Sequence, residues 1–267
     1  MKKFFLGLAF GIAIAGVIGL LLAFPSYGDK IAVLRIKGTI TSSPSFLEES
    51  VSPESLYPAI EKIEKDPTIK GVLIEINSPG GSAVASRELS IAVKSIKKPK
   101  VCWMGDVAAS GAYWIASACD RIVADPLTLT GSIGVTASYL QFAGTLDKYG
   151  VTYERFVTGP YKDTGSPFRN LTEEERHGMF MLVNETFQVF LEDLQKNRKF
   201  TAEELEMLKS GGMFLGKDAV KIGLVDDLGS WYDAKEMIKN QTGTVDPEFI
   251  EFRKPGMSFL ELLGSFM

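Results

Sequence analysis

The sequence contains a single histidine, His177, among its 267 residues. This histidine lies in the charged run TEEERHGMF, close to the start of a predicted helix, and we predict that it is exposed to solvent. A Ser-His-Asp triad would have to use it. A hydrolase built from this chain therefore has to take its general base from another residue type.

Cysteine and positive charge are also scarce. The two cysteines, Cys102 and Cys119, are too few for a disulfide-rich scaffold, and no Cys/His group has the spacing of a zinc site. We interpret them as two small buried hydrophobic residues in preference to a disulfide, which stays open as the alternative. The formal net charge of −4, without a basic stripe, argues against nucleic-acid binding.

An uncharged apolar run of 21 residues, Phe4–Phe24, follows Lys2 and Lys3. A helix of this length can cross a hydrocarbon core of about 30 Å. The run ends in LLAFPSYGD, which lacks the cleavage site of a signal peptide, so we favour an uncleaved anchor over a cleaved signal. Residues 1–28 are thus predicted to be a cytoplasmic stub and a single-pass transmembrane helix in the cell membrane, with the rest of the chain outside.

Strand-like and helix-like segments alternate over residues 29–246. Predicted helices begin at Ser52-Pro53, cover about residues 82–97, end at Lys148, and extend over Leu171–Asn197. The predicted strands are Ile31–Ile36, Gly71–Ile76, Lys100–Met104, Arg121–Ala124, Gly134–Ala137 and Thr152–Val157. This alternation predicts an α/β fold with parallel strands.

Residues 247–267 form a predicted apolar C-terminal tail. Ser258 and Glu261 are spaced to cap a final helix that carries Phe259, Leu263 and Phe266. Such an apolar stripe usually packs on the core of its own chain. At a chain end, packing on a neighbouring subunit is the alternative.

Three loops rich in glycine and serine follow predicted strands, where open α/β folds place their sites. In NSPGGS, two glycines leave backbone N–H groups free, as an oxyanion hole requires, although a tight turn alone also needs glycine. In AASGAYW, small neighbours leave Ser110 exposed at a strand-to-helix turn, which suits either a nucleophile or tight packing. In the third loop, residues 158–175, Lys162 is by residue type an ordinary solvated lysine. Glycine and proline on both sides of it indicate a fixed loop, but they do not show where its side chain points.

Five motifs in this order resemble the short form of the signal peptide peptidase A family. This is a Ser–Lys protease family related in fold to the Clp protease and crotonase superfamily. The motifs are SPGGS at residues 78–82, ASGAYWIASACD at 109–120, LTGSIGV at 129–135, YKDTGSPFRNLTEEER at 161–176 and FLGKDAVKIGLVDDLG at 214–229. The resemblance covers nearly the whole chain after residue 28, and it implies a fold of repeated ββα units with residues 29–246 as the protease domain.

The resemblance also implies the site residues. Ser110 matches the nucleophile, Lys162 the general base, and Ser132 the serine that hydrogen-bonds the lysine. Gly81 and Gly111 match the backbone positions of the oxyanion hole. No metal or cofactor is expected.

In the resembled family the chains form rings, and the serine and lysine meet between protomers. We therefore expect a homo-oligomeric ring that cleaves remnant signal peptides and other peptides. A lysine acts as a base only when neutral, so we expect apolar surroundings for Lys162 and an Asp163 side chain that faces away. Two alternatives are a crotonase-type enzyme acting on acyl-CoA, which would use the same glycine N–H groups, and a non-catalytic membrane scaffold.

Overall fold

The computed structural model describes residues 28–43 and 49–252. One sheet dominates it, with the order β10-β1-β4-β5-β6-β9, while β7 pairs with β5, β8 pairs with β7, and β2 and β3 pair separately. All pairs are parallel except β7 with β8. The strands are β1 (Lys30–Lys37), β2 (Thr39–Ile40), β3 (Ser50–Val51), β4 (Ile69–Ser78), β5 (Lys100–Ala109), β6 (Arg121–Ala124), β7 (Leu129–Gly131), β8 (Met213–Leu215), β9 (Asp227–Leu228) and β10 (Glu248–Glu251).

Helices connect and cover these strands. The predicted capping box at Thr172 is present: the Thr172 hydroxyl accepts from the Glu175 N–H at 3.2 Å. The predicted α/β fold with parallel strands is confirmed. The α-helices are α1 (Pro53–Lys65), α2 (Ala83–Ser95), α3 (Gly111–Ala116), α4 (Ala143–Lys148), α5 (Glu173–Asn197), α6 (Ala202–Leu208), α7 (Gly216–Ala219) and α8 (Trp231–Thr242).

The central strands β1 and β4 are rich in Val, Ile and Leu, as expected for parallel strands that are covered on both faces of the sheet. The larger core lies on one face and includes Leu34, Ile74 and Phe190. The smaller core lies on the other face beneath α8 and includes Leu73 and Ile238. The carboxyl ends of β4 and β5, where the glycine-rich turns begin, are thereby held by rigid neighbours.

Two predicted strands are wrong. Gly134–Ala137 and Thr152–Val157 have no strand pairing, and the strand after β6 is Leu129–Gly131 instead. Both mispredicted segments are largely exposed, and residues 136–142 and 151–158 have no buried member. A β-rich composition is not sufficient there, because an extended segment without a neighbouring strand leaves its backbone groups unpaired.

The interpretation of the cysteines as unbonded hydrophobic residues is also wrong. Cys102 and Cys119 form a disulfide, with their Cα atoms 6.0 Å apart. Cys102 lies within β5, and Cys119 follows α3 just before β6, so the parallel pairing of β5 with β6 brings the two sulfurs together. Both residues are buried as predicted.

Neither end of the chain is fully described. Within residues 28–43 and 49–252, no helix is both long and apolar enough to cross a membrane, and the predicted anchor lies outside those residues. The first residues of the predicted tail form β10 and pair with β1, which extends the sheet beyond residue 246. The predicted tail helix lies outside the described residues.

Candidate active site

Ser110 lies in the turn between β5 and α3, as its sequence context predicts. Its backbone φ is 55°, a left-handed conformation that is uncommon for a residue other than glycine. The turn is held by the Ser110 N–H, which donates to the Gly131 carbonyl at 2.8 Å, and by the Trp114 N–H, which donates to the Ser110 carbonyl at 3.1 Å. Such strain is typical of functional positions, including nucleophiles at strand-to-helix turns.

The glycine turn after β4 packs directly against Ser110. Gly80 has φ 96°, and a Cβ added there would lie 2.8 Å from the Gly111 nitrogen and 3.0 Å from the Ser110 Cβ. Neither Gly81 nor Gly111 donates its N–H to another described residue. The two predicted oxyanion positions therefore lie on adjoining turns with both N–H groups available.

Ser132 lies beside Ser110 because of the strand register. The pairing of β5 with β7 places Ala109 opposite Gly131, and each serine is the next residue along its strand. Ser132 also has a positive φ, 49°, and its N–H donates to the Gly212 carbonyl at 2.8 Å. Two neighbouring serines with left-handed backbones thus mark the same end of the sheet.

A cavity of about 260 Å³ opens next to Ser110. The stacked rings of Trp114 and Phe190, with centroids 4.3 Å apart, form part of its wall. The sequence motifs identify Gly81, Ser110 and Gly111, but they give no signal for Phe190, which comes from the distant helix α5. The lining residues are Gly81, Ser82, Ala83, Ser86, Ser110, Gly111, Trp114, Gly134, Val135, Thr136 and Phe190.

A second cavity of about 340 Å³ adjoins the first and shares Gly134 and Val135 with it. Apolar side chains, including Ile133, Phe180 and Phe187, contribute to its lining. The segment 133–136 thus borders two neighbouring cavities on the Ser110 side of the molecule.

Lys162 is not brought to Ser110 within one chain. It is exposed, it does not line the Ser110 cavity, and its amine has no hydrogen bond or ion pair with the residues that the structure describes. The apolar surroundings expected for it are therefore not supplied by its own chain. Asp163 is bound by Arg155 and Arg169, in agreement with the expectation that it does not pair with Lys162.

His177 is exposed on α5, as predicted, and is not part of the Ser110 cavity. It borders a groove of about 700 Å³ between α5 and the Lys162 turn, together with Tyr161 and Leu182. No group of three or more His, Cys, Asp or Glu side chains in the described part of the chain is arranged to hold a metal ion. Around Ser110 the structure thus brings together one serine hydroxyl and the N–H groups of Gly81 and Gly111.

Comparison with known proteins identifies the family. Residues 92–244, more than half of the chain, match the model of peptidase family S49. The chain belongs to peptidase family S49. This is a family of serine peptidases, and the resemblance drawn from the five motifs is confirmed.

Curated relatives of this S49 chain carry protease names. A putative protease of Methanocaldococcus jannaschii is 35% identical over 195 residues, which are 72% of this chain and 63% of that protein. A putative signal peptide peptidase SppA of Enterococcus faecium is 34% identical over 236 residues, 86% of this chain and 69% of that protein. Protease 4 of Haemophilus influenzae is 35% identical over 226 residues, and this chain spans only 35% of its length.

Among solved structures, the S49 chain is similar to the 1510-N membrane-bound stomatin-specific protease in complex with a substrate peptide. The TM-score is 0.53 at 18% sequence identity, and the match covers 90% of this chain and 97% of that chain. At this identity the likeness shows the fold.

Proposed function

We propose that this protein is a membrane-anchored serine endopeptidase that uses Ser110 as nucleophile and Lys162 as general base. The observation that carries the proposal is the strained Ser110 between two free glycine N–H groups, beside a cavity that can take a side chain. Membership of peptidase family S49 supports the reaction class.

The reaction follows from these groups. The Ser110 Oγ attacks the peptide carbonyl while its proton passes to the neutral amine of Lys162. The oxyanion accepts hydrogen bonds from the N–H groups of Gly81 and Gly111, and loss of one such donor typically costs about 10²–10³ in kcat. The C–N bond then breaks, and Lys162 returns the proton to the leaving amine. Water then attacks the acyl carbon while Lys162 takes its proton. The bond from the acyl carbon to the Ser110 Oγ breaks, and Lys162 returns the proton to Ser110.

We further propose that Lys162 reaches Ser110 of a neighbouring copy in a homo-oligomeric ring. Lys162 lies outside the Ser110 cavity of its own chain, within a region whose large apolar side chains are exposed. Phe156, Tyr149 and Leu140 are each more than 70% exposed. Apolar surface of this extent is typical of protein interfaces, and a partner would supply the water-poor surroundings that a neutral lysine needs. In such a site, Ser132 would hold the lysine amine.

For substrates, we propose remnant signal peptides and other peptides released outside the cytoplasm. The name of the Enterococcus faecium relative supports the class, and the two adjoining cavities suit an extended peptide. The apolar run Phe4–Phe24 supports the anchor. The Cys102–Cys119 disulfide supports an extracytoplasmic domain, because such bonds are rare in the reducing cytosol.

Labelling of the full-length protein with a fluorophosphonate tests the nucleophile. We expect one adduct per reactive site on Ser110, located by peptide mass spectrometry, and none in Ser110→Ala. The matched control is Ser117→Ala, a buried serine seven residues further on, which should leave labelling intact. Absence of labelling on Ser110 would reject the protease and leave the acyl-CoA enzyme or the scaffold as the better proposal.

A peptide-cleavage assay tests the base. Lys162→Ala should lower kcat/KM for an unstructured peptide by about 10³-fold or more, since triad and dyad members act as a unit. Undiminished cleavage by Lys162→Ala would contradict the Ser–Lys assignment, whatever the labelling of Ser110 shows.

A further inference from the structure

The turn that carries Lys162 is attached to the rest of the chain through its neighbour Asp163. Within the turn, the Lys162 N–H donates to the Gly159 carbonyl at 3.2 Å. The Asp163 carboxylate accepts from the Arg155 Nε and Nη2 atoms at 2.7 and 2.6 Å. It also accepts from the Arg169 Nε and Nη2 atoms at 2.9 and 2.8 Å. The Asp163 carboxylate thus accepts a bidentate pair of hydrogen bonds from each of two guanidinium groups, and charge-assisted bidentate pairs are the strongest hydrogen bonds that a carboxylate makes.

Arg169 continues this connection to helix α5. Its Nη1 and Nη2 atoms donate to the two carboxylate oxygens of Glu175 at 2.8 and 2.5 Å. Glu175 is only 3% exposed, and it also accepts from the Thr172 N–H and the Thr164 hydroxyl, both at 2.9 Å. The first turn of a 25-residue helix is therefore linked rigidly to the turn that presents Lys162.

The four charged groups balance one another, since two guanidinium groups face two carboxylates. Arg169, and after it Arg155, hold the pKa of the Asp163 carboxyl well below its usual range. Arg169 also lowers the pKa of Glu175 to about 2. Both acids stay ionised at any pH at which the enzyme would work, and neither is paired with the neighbouring Lys162.

We propose that Arg155 and Arg169 are positioning residues for the general base. By occupying both oxygens of Asp163, they fix the turn that presents Lys162 and keep the adjacent carboxylate from pairing with its amine. An amine paired with Asp163 would be held in the protonated form and could not accept the Ser110 proton. The inference rests on the proposed function, because it requires Lys162 to be the base.

Two charge-changing variants of the full-length enzyme separate this role from simple stabilisation. Asp163→Asn leaves the cluster of Arg155, Arg169 and Glu175 with a net charge of +1, which disfavours a protonated Lys162. Arg169→Gln leaves Arg155, Asp163 and Glu175 with a net charge of −1, which favours it. The nearby titratable groups Tyr161, Glu174 and His177 are unchanged in both. Arg176→Gln is the matched control. Arg176 is exposed on helix α5, and its Nε atom lies 3.7 Å from the Glu173 carboxylate.

The readout is kcat and KM measured across pH, because the acid limb of kcat/KM reports ionisation of the base in the free enzyme. We expect kcat to fall about 10- to 100-fold in both variants with KM changed less than about twofold, as for a misplaced catalytic group. We expect the acid limb to move by about half a pH unit, to lower pH in Asp163→Asn and to higher pH in Arg169→Gln. Arg169→Lys should restore the position of the limb but not kcat, because lysine keeps the charge and lacks the planar fork.

Opposite shifts of the acid limb support the positioning role. The positioning role would be overturned if the acid limb moved in the same direction in both variants or did not move. It would also be overturned if kcat fell no further than in Arg176→Gln. Lys162→Ala is assayed in parallel: retained activity there would reject the proposed function itself. If Lys162→Ala is inactive while Asp163→Asn and Arg169→Gln behave like Arg176→Gln, the positioning role alone falls. Thermal unfolding and oligomer size, measured for every variant, separate loss of fold from loss of positioning.

Discussion

Two regions of this chain differ sharply in how they use similar side chains. We call residues 136–182 the arm and the rest of the described chain the body. In the body, strands rich in Val, Ile and Leu are buried on both faces of one sheet. In the arm, only Ala143 and Glu175 are buried.

A solvated loop would be mostly polar, but the arm is not. Thirteen of the 24 large apolar side chains exposed in the described residues lie within it. They are Tyr139, Leu140, Phe142, Tyr149, Val151, Tyr153, Phe156, Val157, Tyr161, Phe168, Phe180, Met181 and Leu182. The arm therefore has the composition of a packed segment, but a single chain leaves most of its large apolar side chains exposed.

The largest expected effect is on peptide cleavage, when either the serine of the body or the lysine of the arm is removed. Ser110→Ala and Lys162→Ala should each lose about 10³-fold or more of kcat/KM. When the two variants are co-expressed in equal amounts, about a quarter of the active sites should be functional. In a head-to-tail ring each site joins the arm of one chain to the body of the next, and both are intact at one junction in four. Peptide cleavage by the purified mixed oligomer measures this.

The control for that experiment pairs Lys162→Ala with the double variant Ser110→Ala/Lys162→Ala, which has no intact arm to offer. It should stay inactive. If the first mixture also remains inactive while both chains assemble, serine and lysine belong to one chain and the arm is not an exchanged element.

A smaller effect is expected from a charge placed on the arm surface. Phe156→Asp should weaken association by about 2 kcal/mol or more, about 30-fold, if this side chain is buried by a partner. The free energy of unfolding of this variant should change by less than about 0.5 kcal/mol, since the Phe156 side chain is 89% exposed. Sedimentation velocity and urea unfolding measure the two quantities.

Tyr232→Asp is the matched control, because Tyr232 is 75% exposed on α8 in the body, against 89% for Phe156 in the arm. We expect it to leave the oligomer unchanged. Equal effects of the two substitutions would mean that the apolar surface of the arm is not a special interface.

A change within the body alone is expected to alter stability and to leave the arm unaffected. Replacing both Cys102 and Cys119 by alanine should lower the free energy of unfolding by about 3 kcal/mol, as expected for a bridge across a short loop. The susceptibility of arm residues to limited proteolysis in the folded state should not change, because the disulfide joins β5 to the segment after α3. An unchanged free energy of unfolding would show that the two thiols are unbonded in solution.

Much of the fold could be predicted from local patterns. The first strand, the helix after Ser52 and the capping box at Thr172 each follow from side chains within a few residues. The turn at Ser110 could be predicted too, because small residues between a buried strand and a helix leave few alternatives. One segment of the arm, Thr152–Val157, is predicted wrongly, because it has strand composition and its missing partner strand is not a local property.

The sequence by itself therefore determined the α/β fold, the two glycine-rich turns and the candidate residues Ser110, Lys162, Ser132, Gly81 and Gly111. The fold and the turns depend on periodicity and turn chemistry, and the candidate residues follow from the resemblance of five motifs to a known family. All of these features are written along the chain. Only the tertiary structure decided three other points: the pairing of Cys102 with Cys119, the contribution of Phe190 to the cavity, and the separation of Lys162 from the cavity of its own chain. Each depends on which distant elements meet, and that is set by the packing of the whole sheet and its helices.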